Sequence, residues 1–363
     1  MTESKETNGL KQGTLNILNG IGLGVIAALV PAAILGQLMK ALLGVAPAFA
    51  QTVINITTFT QSLLAAMAGF CAAYLFQMNM IQMCSVAAAA MIGSGAVTFK
   101  NGLIMVAGTG DVINIGLTIT LAILLIKLIG NKLGSYTTIL LPIIVLVVGG
   151  GIGLLILPYV KTVTTFIGMI VMAFTKLQPL LMGVLIGMSF AAMIVSPISS
   201  VGIAVAIGLT GVASGAANLG ITGAAYTLGI MSYSVNGMGT TLAHFIGTPK
   251  IQMANMLEKP KLFVPVLLSS ALSGLLAAIF NLQGTPNSAG FGFSGLIGPL
   301  AAYAKMTPGW GSIILLTVLY VVYPVALGFF MRWLFIDRLS FAQAEDLRQI
   351  GRASCRERVS SPV

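Results

Sequence analysis

Apolar stretches of membrane-spanning length recur along the whole chain, the first at Leu15–Leu43 and the last at Trp310–Phe335. About 20 apolar residues in a helix cross the ~30 Å hydrocarbon core of a bilayer. Only 7% of the residues are charged, against about 25% in soluble globular domains, and the mean hydropathy is +1.01. In lipid, backbone polar groups must be satisfied within the spanning structure, and helices do this locally. The sequence therefore predicts an all-α polytopic membrane protein embedded in the lipid bilayer. We expect about 8–10 transmembrane helices with two re-entrant hairpins or broken helices.

Spans are expected at Leu15–Leu43 (broken by Pro31), Val53–Phe76, Cys84–Phe99, Gly116–Ile129, Thr138–Val160, Leu180–Val195, Leu262–Phe280 and Trp310–Phe335. Thr162–Lys176 is shorter and reads as interfacial. Two stretches interrupt the pattern. SPISS, Ser196–Ser200, lies between apolar runs, and its proline disfavours helix at the preceding residue. Gln283–Tyr303 is rich in glycine, serine and proline. Both are candidate helix breaks, which survive at membrane depth only where protein or water supplies hydrogen-bond partners. The small-residue run Gly211–Ala225 requires another helix packed closely on it.

The most polar apolar segment is Ser232–Lys250, SYSVNGMGTTLAHFIGTPK, which holds the chain's single histidine, His244. Ser232, Asn236, Thr240, His244 and Thr248 recur at every fourth position. In a helix such residues form a ridge, drifting by about 40° per step. Asn236, Thr240 and His244 are the three expected to share a face, unless Gly237 and Gly239 break the helix. Intramembrane ionisable groups are costly and often mark substrate or ion pathways. His244 and Asp111 are the leading candidates, with Asn114 three residues beyond Asp111. The competing reading makes Asp111 an N-cap and His244 a helix–helix hydrogen bond. Ser196, Ser199 and Ser200 offer hydroxyls at the first break, where half-helix ends face substrate in many transporters.

Other chemistries lack their parts. There is no histidine, cysteine and carboxylate cluster with metal spacing, no Walker A motif and no GxGxxG after a strand. No metal, cofactor or nucleic acid is expected. The C-terminal IGRASCRERV, Ile350–Val359, back-translates to a string resembling a sequencing-adapter oligonucleotide, so residues 350–363 are read as an assembly artefact. With its arginines set aside, the formal charge of +10 shrinks; the remainder fits basic cytoplasmic loops.

Several stretches together resemble one family: NGIGLGVIAALVPAAILG, GTGDVIN, IVSPISSVGIAVAIGL, GAANLGI and GTTLAHFIGTPKIQMAN. These are similar to the membrane IIC subunits of the bacterial phosphotransferase system, in the PfoR-like toxin-regulator branch. The resemblance implies a multi-pass permease of the bacterial inner membrane that binds and translocates a sugar. It also implies a homodimer and a separate phosphorylated IIB partner that phosphorylates the sugar. In glucose-type relatives a histidine and a glutamate beside a hairpin bind sugar. His244 and SPISS are the counterparts by resemblance, while the glutamate motif is absent here. The expected organisation is a polar tail (1–12), one IIC-like transport domain (13–340), a cytoplasmic C-terminal segment (341–349) and the artefact. An ion-coupled secondary transporter and a non-transporting membrane sensor remain as alternatives.

Overall fold

The computed structural model describes residues 2–349 except 101, 107 and 131; the proposed adapter-derived segment lies outside them. The described residues form helices α1 (Thr2–Leu42), α2 (Pro47–Ser62), α3 (Leu64–Leu75) and α4 (Met80–Gly93). A hairpin of β1 (Val97–Lys100) and β2 (Leu103–Val106) follows, then α5 (Val112–Ile129), α6 (Thr137–Ile144) and α7 (Gly151–Phe174). Next come α8 (Pro179–Ile194), α9 (Ser200–Ala206), α10 (Gly211–Met231), α11 (Tyr233–Leu242), α12 (Met253–Glu258) and α13 (Phe263–Ile279). The series closes with α14 (Ile297–Tyr303), α15 (Trp310–Thr317) and α16 (Tyr323–Arg332). Among the described residues, five helical stretches are long and apolar enough to cross a membrane. A sixth arises if α2 and α3, bent by 48°, count as one span. The shorter apolar helices α4 and α8 and the 21-residue α10 add to these. The chain is an all-α polytopic membrane protein.

Several boundaries differ from the sequence reading, each for a local reason. α1 runs unbroken through Pro31, as transmembrane helices tolerate a proline whose freed groups find other partners. The span expected at Cys84–Phe99 stops at Gly93, because Gly95 adopts a φ of +76° and the chain turns into the β1–β2 hairpin. The expected separate segments Thr138–Val160 and Thr162–Lys176 form one helical stretch, Gly134–Phe174. A π turn at Val145–Gly150 interrupts it three residues after Pro142, absorbing the register slip in the manner of a π-bulge.

The chain divides into two compact units, one of residues up to Ile167 with Pro197–Ser199, the other Gly168–Ser196 with Ser200 onward. In the first unit, α1 lies against α3 where Gly24 meets the backbone of Ala68, a hypothetical Cβ falling 2.5 Å from its nitrogen. In the second, α10 is buried at every residue from Ala213 to Met231. Its glycines and alanines let neighbours approach to backbone contact. A Cβ at Gly220 would lie 2.5 Å from Gly187 Cα of α8, and one at Gly187 would lie 2.6 Å from the Ser270 carbonyl of α13. Outward-facing apolar side chains such as Leu155 and Tyr159, 73% and 76% exposed, are left for lipid.

Candidate functional site

Within the second unit, the two ends of the SPISS break, Ser196 and Ser200, meet two other stretches that depart from regular α-helix. α8 ends at Ile194 and α9 starts at Ser200, leaving the SPISS backbone unwound between them. Ser196 turns its hydroxyl back onto the Met193 carbonyl at 2.9 Å, in the manner of a helix-terminal serine. Ser200 donates to the Gly290 carbonyl at 3.0 Å. Gly290, with φ +94°, passes so close that a Cβ there would sit 2.7 Å from the Val201 nitrogen. The glycine-rich loop after α13 therefore crosses the start of α9 by backbone contact. Asn218 of α10 secures the same loop, accepting from the Gly292 N–H at 3.2 Å and donating to the Ser288 hydroxyl at 3.5 Å. This is how irregular backbone persists here: neighbouring side chains supply its partners.

The third stretch is Ala243–Lys250. Residues Ala243–Gly247 form a π turn continuing α11, with His244 fully buried. The His244 Nδ1 lies 2.7 Å from the Thr240 carbonyl, so Nδ1 must carry the proton. In the neutral ring Nε2 is then a bare acceptor, and it is buried with no partner among the described residues. Phe245 stacks on Tyr226 of α10 with ring centroids 4.0 Å apart, holding this turn against the buried helix. The Gly247 carbonyl accepts from the Ser294 hydroxyl of the glycine-rich loop. Thr248 caps the following turn, and Lys250, 5% exposed, extends its ammonium to the Ser196 carbonyl at 2.5 Å. The 244–250 stretch is thus bonded both to the loop and to the break after α8.

A model of the family described as "Phosphotransferase system, EIIC" matches residues 15–349. The chain belongs to this EIIC family. Comparisons with curated proteins and with solved structures return no match. An EIIC component is the sugar-specific permease part of a phosphotransferase system, and the apolar helices accord with a multi-pass membrane protein.

The remaining candidates in this EIIC chain have other partners. Gly237, with φ +71° and ψ 178°, breaks α11, so the polar ridge does not run through Asn236 as one helical face. Asn236 instead holds the C-terminal segment: its amide donates to the Leu347 carbonyl at 2.7 Å and accepts from the Gln349 N–H at 2.9 Å. Thr240 contributes its carbonyl to His244. Ser199 is half-buried and groups with the first unit. There, Asp111 caps α5 by accepting from the Asn114 N–H at 3.0 Å. The Asn114 amide donates to the carbonyls of Gly93 and Gly153 at 2.5 and 2.8 Å, tying α4 and α7 to α5. Reading the residues missed Lys250, Asn218, Ser288 and Ser294. Asn218 had a signal, as the one carboxamide in the small-residue run; Lys250 looked like an ordinary loop charge.

Segment 341–349 lies across the second unit as a strap. Gln252 also donates to the Leu347 carbonyl, and Asn255 to that of Arg348. Asp346, 8% exposed, receives Lys259 at 2.7 Å and Lys261 at 2.9 Å. Burial raises the Asp346 pKa, but the two lysines and the Gln343 N–H outweigh it and hold the carboxyl at about 2, below the ordinary 3.8. A depressed carboxylate stabilises the fold fully above its unfolded value, and that contribution disappears as pH falls through the folded one. Strap anchoring is therefore expected to hold above pH 4 and to weaken between about pH 4 and 2. Both lysines are over 40% exposed, so screening limits the loss in Asp346→Asn to about 1 kcal/mol. Amide exchange at Gln349, whose N–H Asn236 accepts, should accelerate in that variant at neutral pH. Unchanged exchange would show that the lysines do not hold the strap.

Proposed function

We propose that this chain binds and translocates a sugar in the second unit, where Ser196 and Ser200, the two ends of the SPISS break, meet the 244–250 stretch and the glycine-rich loop. The observation that carries the reading is the buried His244, with Nδ1 committed to a backbone carbonyl and Nε2 left as an acceptor. A sugar hydroxyl is a suitable donor to that nitrogen. The Ser200 hydroxyl donates to the Gly290 carbonyl, and a hydroxyl oxygen that donates can also accept from a sugar hydroxyl. A site built this way discriminates strongly, because a substrate lacking one hydroxyl leaves buried polar groups unpaired. Thr240 acts by orienting His244, while Asn236 anchors the strap and Asp111 and Asn114 support packing of the first unit.

Family membership supports the next step of the proposal: a separate phosphorylated IIB protein transfers its phosphoryl group to a hydroxyl of the bound sugar. We place the chain in the bacterial inner membrane as a homodimer of the PfoR-like branch. Thermal unfolding of the purified protein against a panel of sugars tests the binding step. A cognate sugar at 100 times its dissociation constant adds about 2.7 kcal/mol of stability. A panel without any stabilising member, or one whose stabilising member acts equally on His244→Ala, would count against this site.

A further inference from the structure

The carbonyl end of a helix carries about half a negative charge. Where a transport helix is broken, such ends and the unwound carbonyls beside them commonly hold the coupling cation. In this chain α8 ends at Ile194, and the unwound Ser196 carbonyl receives the Lys250 ammonium at 2.5 Å. The lysine is 95% removed from solvent, with a relative exposure of 5%. Its position is fixed from behind. Thr248 accepts from the Lys250 N–H at 3.2 Å, Pro249 begins the turn, and Ser294 donates to the Gly247 carbonyl. A buried lysine stem with an immobilised backbone places a point charge with three N–H donors at the helix end.

We propose that Lys250 is a built-in cation, its ammonium taking the place at the end of α8 that a coupling ion occupies in an ion-driven carrier. Substrate binding at the break then needs no sodium or other alkali cation. The inference rests on the reading that the SPISS break lines the sugar site. It also separates this protein from an ion-coupled carrier of similar broken-helix design. Lys250 is a positioning residue: it holds the unwound backbone without touching sugar.

The test uses the full chain in lipid nanodiscs, with thermal unfolding followed in sodium, potassium or choline chloride at equal ionic strength. The wild type is expected to unfold at the same temperature in all three salts, within about 1 °C. Lys250→Ala is expected to unfold several degrees lower and to regain more than half of the loss when methylammonium chloride replaces choline chloride. Lys250→Met, which restores bulk without charge, should gain nothing from methylammonium. Sodium stabilisation of the wild type, or a Lys250→Ala variant indifferent to methylammonium, overturns the inference. If neither variant folds, reductive methylation of the wild type decides. Lys250 is expected to react at least about tenfold more slowly than the half-exposed Lys259 and Lys261, and equal rates overturn the assignment. Methylammonium rescue without any sugar-induced shift supports the cation and removes the sugar reading. A sugar shift that persists unchanged in Lys250→Met overturns the cation and leaves the sugar reading standing.

Discussion

Gly220→Val is expected to abolish recovery of folded protein. A Cβ at this position would lie 2.5 Å from Gly187 Cα and 2.8 Å from its carbonyl oxygen, and backbone cannot swing aside as a side chain does. The same holds on the facing helices: a Cβ at Gly187 would lie 2.6 Å from the Ser270 carbonyl oxygen, and one at Gly183 2.5 Å from that of Gly274. Helices α8, α10 and α13 thus touch through glycine faces, so separating one pair disturbs the others. Overpacking of well-filled interiors costs about 1–3 kcal/mol when side chains can yield. Here they cannot, and a loss of at least about 3 kcal/mol is expected. Gly151→Ala in α7 is the control, because a Cβ there meets nothing within 4 Å. Size-exclusion profiles in mild detergent should show a monodisperse peak for the control and none for Gly220→Val. A normal peak for the latter would contradict the packing described.

His244→Ala is expected to leave a folded protein that has lost sugar binding and uptake. Among the described residues the ring bonds only the Thr240 carbonyl, one turn back in the same helical stretch, and Nε2 bonds none, so removing the ring breaks no hydrogen bond between helices. A substrate hydroxyl that enters a buried site and finds no acceptor there bears a desolvation penalty of about 1–3 kcal/mol. That corresponds to about a 5- to 150-fold loss in affinity. Asn236→Ala should behave differently, loosening the strap while sparing sugar affinity. Uptake by His244→Ala at the wild-type rate would remove the histidine from the site.

The fold class was legible because hydropathy is a property of single residues summed over a window. So were the helix break at SPISS and the need for close packing around Gly211–Ala225. What the sequence concealed depends on long-range pairing or on single backbone angles. The fourfold ridge looked continuous, yet Gly237 at φ +71° ends it and turns Asn236 toward a segment more than a hundred residues away. Lys250 looked like one charge among several in a loop, but its partner is the Ser196 carbonyl, and a carbonyl leaves no mark in a residue pattern. Asp111 satisfied both a capping and a functional reading; the structure supplies the cap in full view. Pro31 and Pro142 lie inside helices because a long apolar helix in lipid has no better alternative than to continue.

On the proposed function, this EIIC chain delivers a bound sugar to a phosphoryl carrier. Inside-out vesicles bearing the wild-type protein, given a labelled sugar drawn from the stabilising panel and a phosphorylated IIB protein, test it most directly. The expected result is conversion of the label to a sugar phosphate that depends on IIB and is abolished in His244→Ala. Accumulation of unmodified sugar driven by a proton or sodium gradient, without IIB, would contradict it.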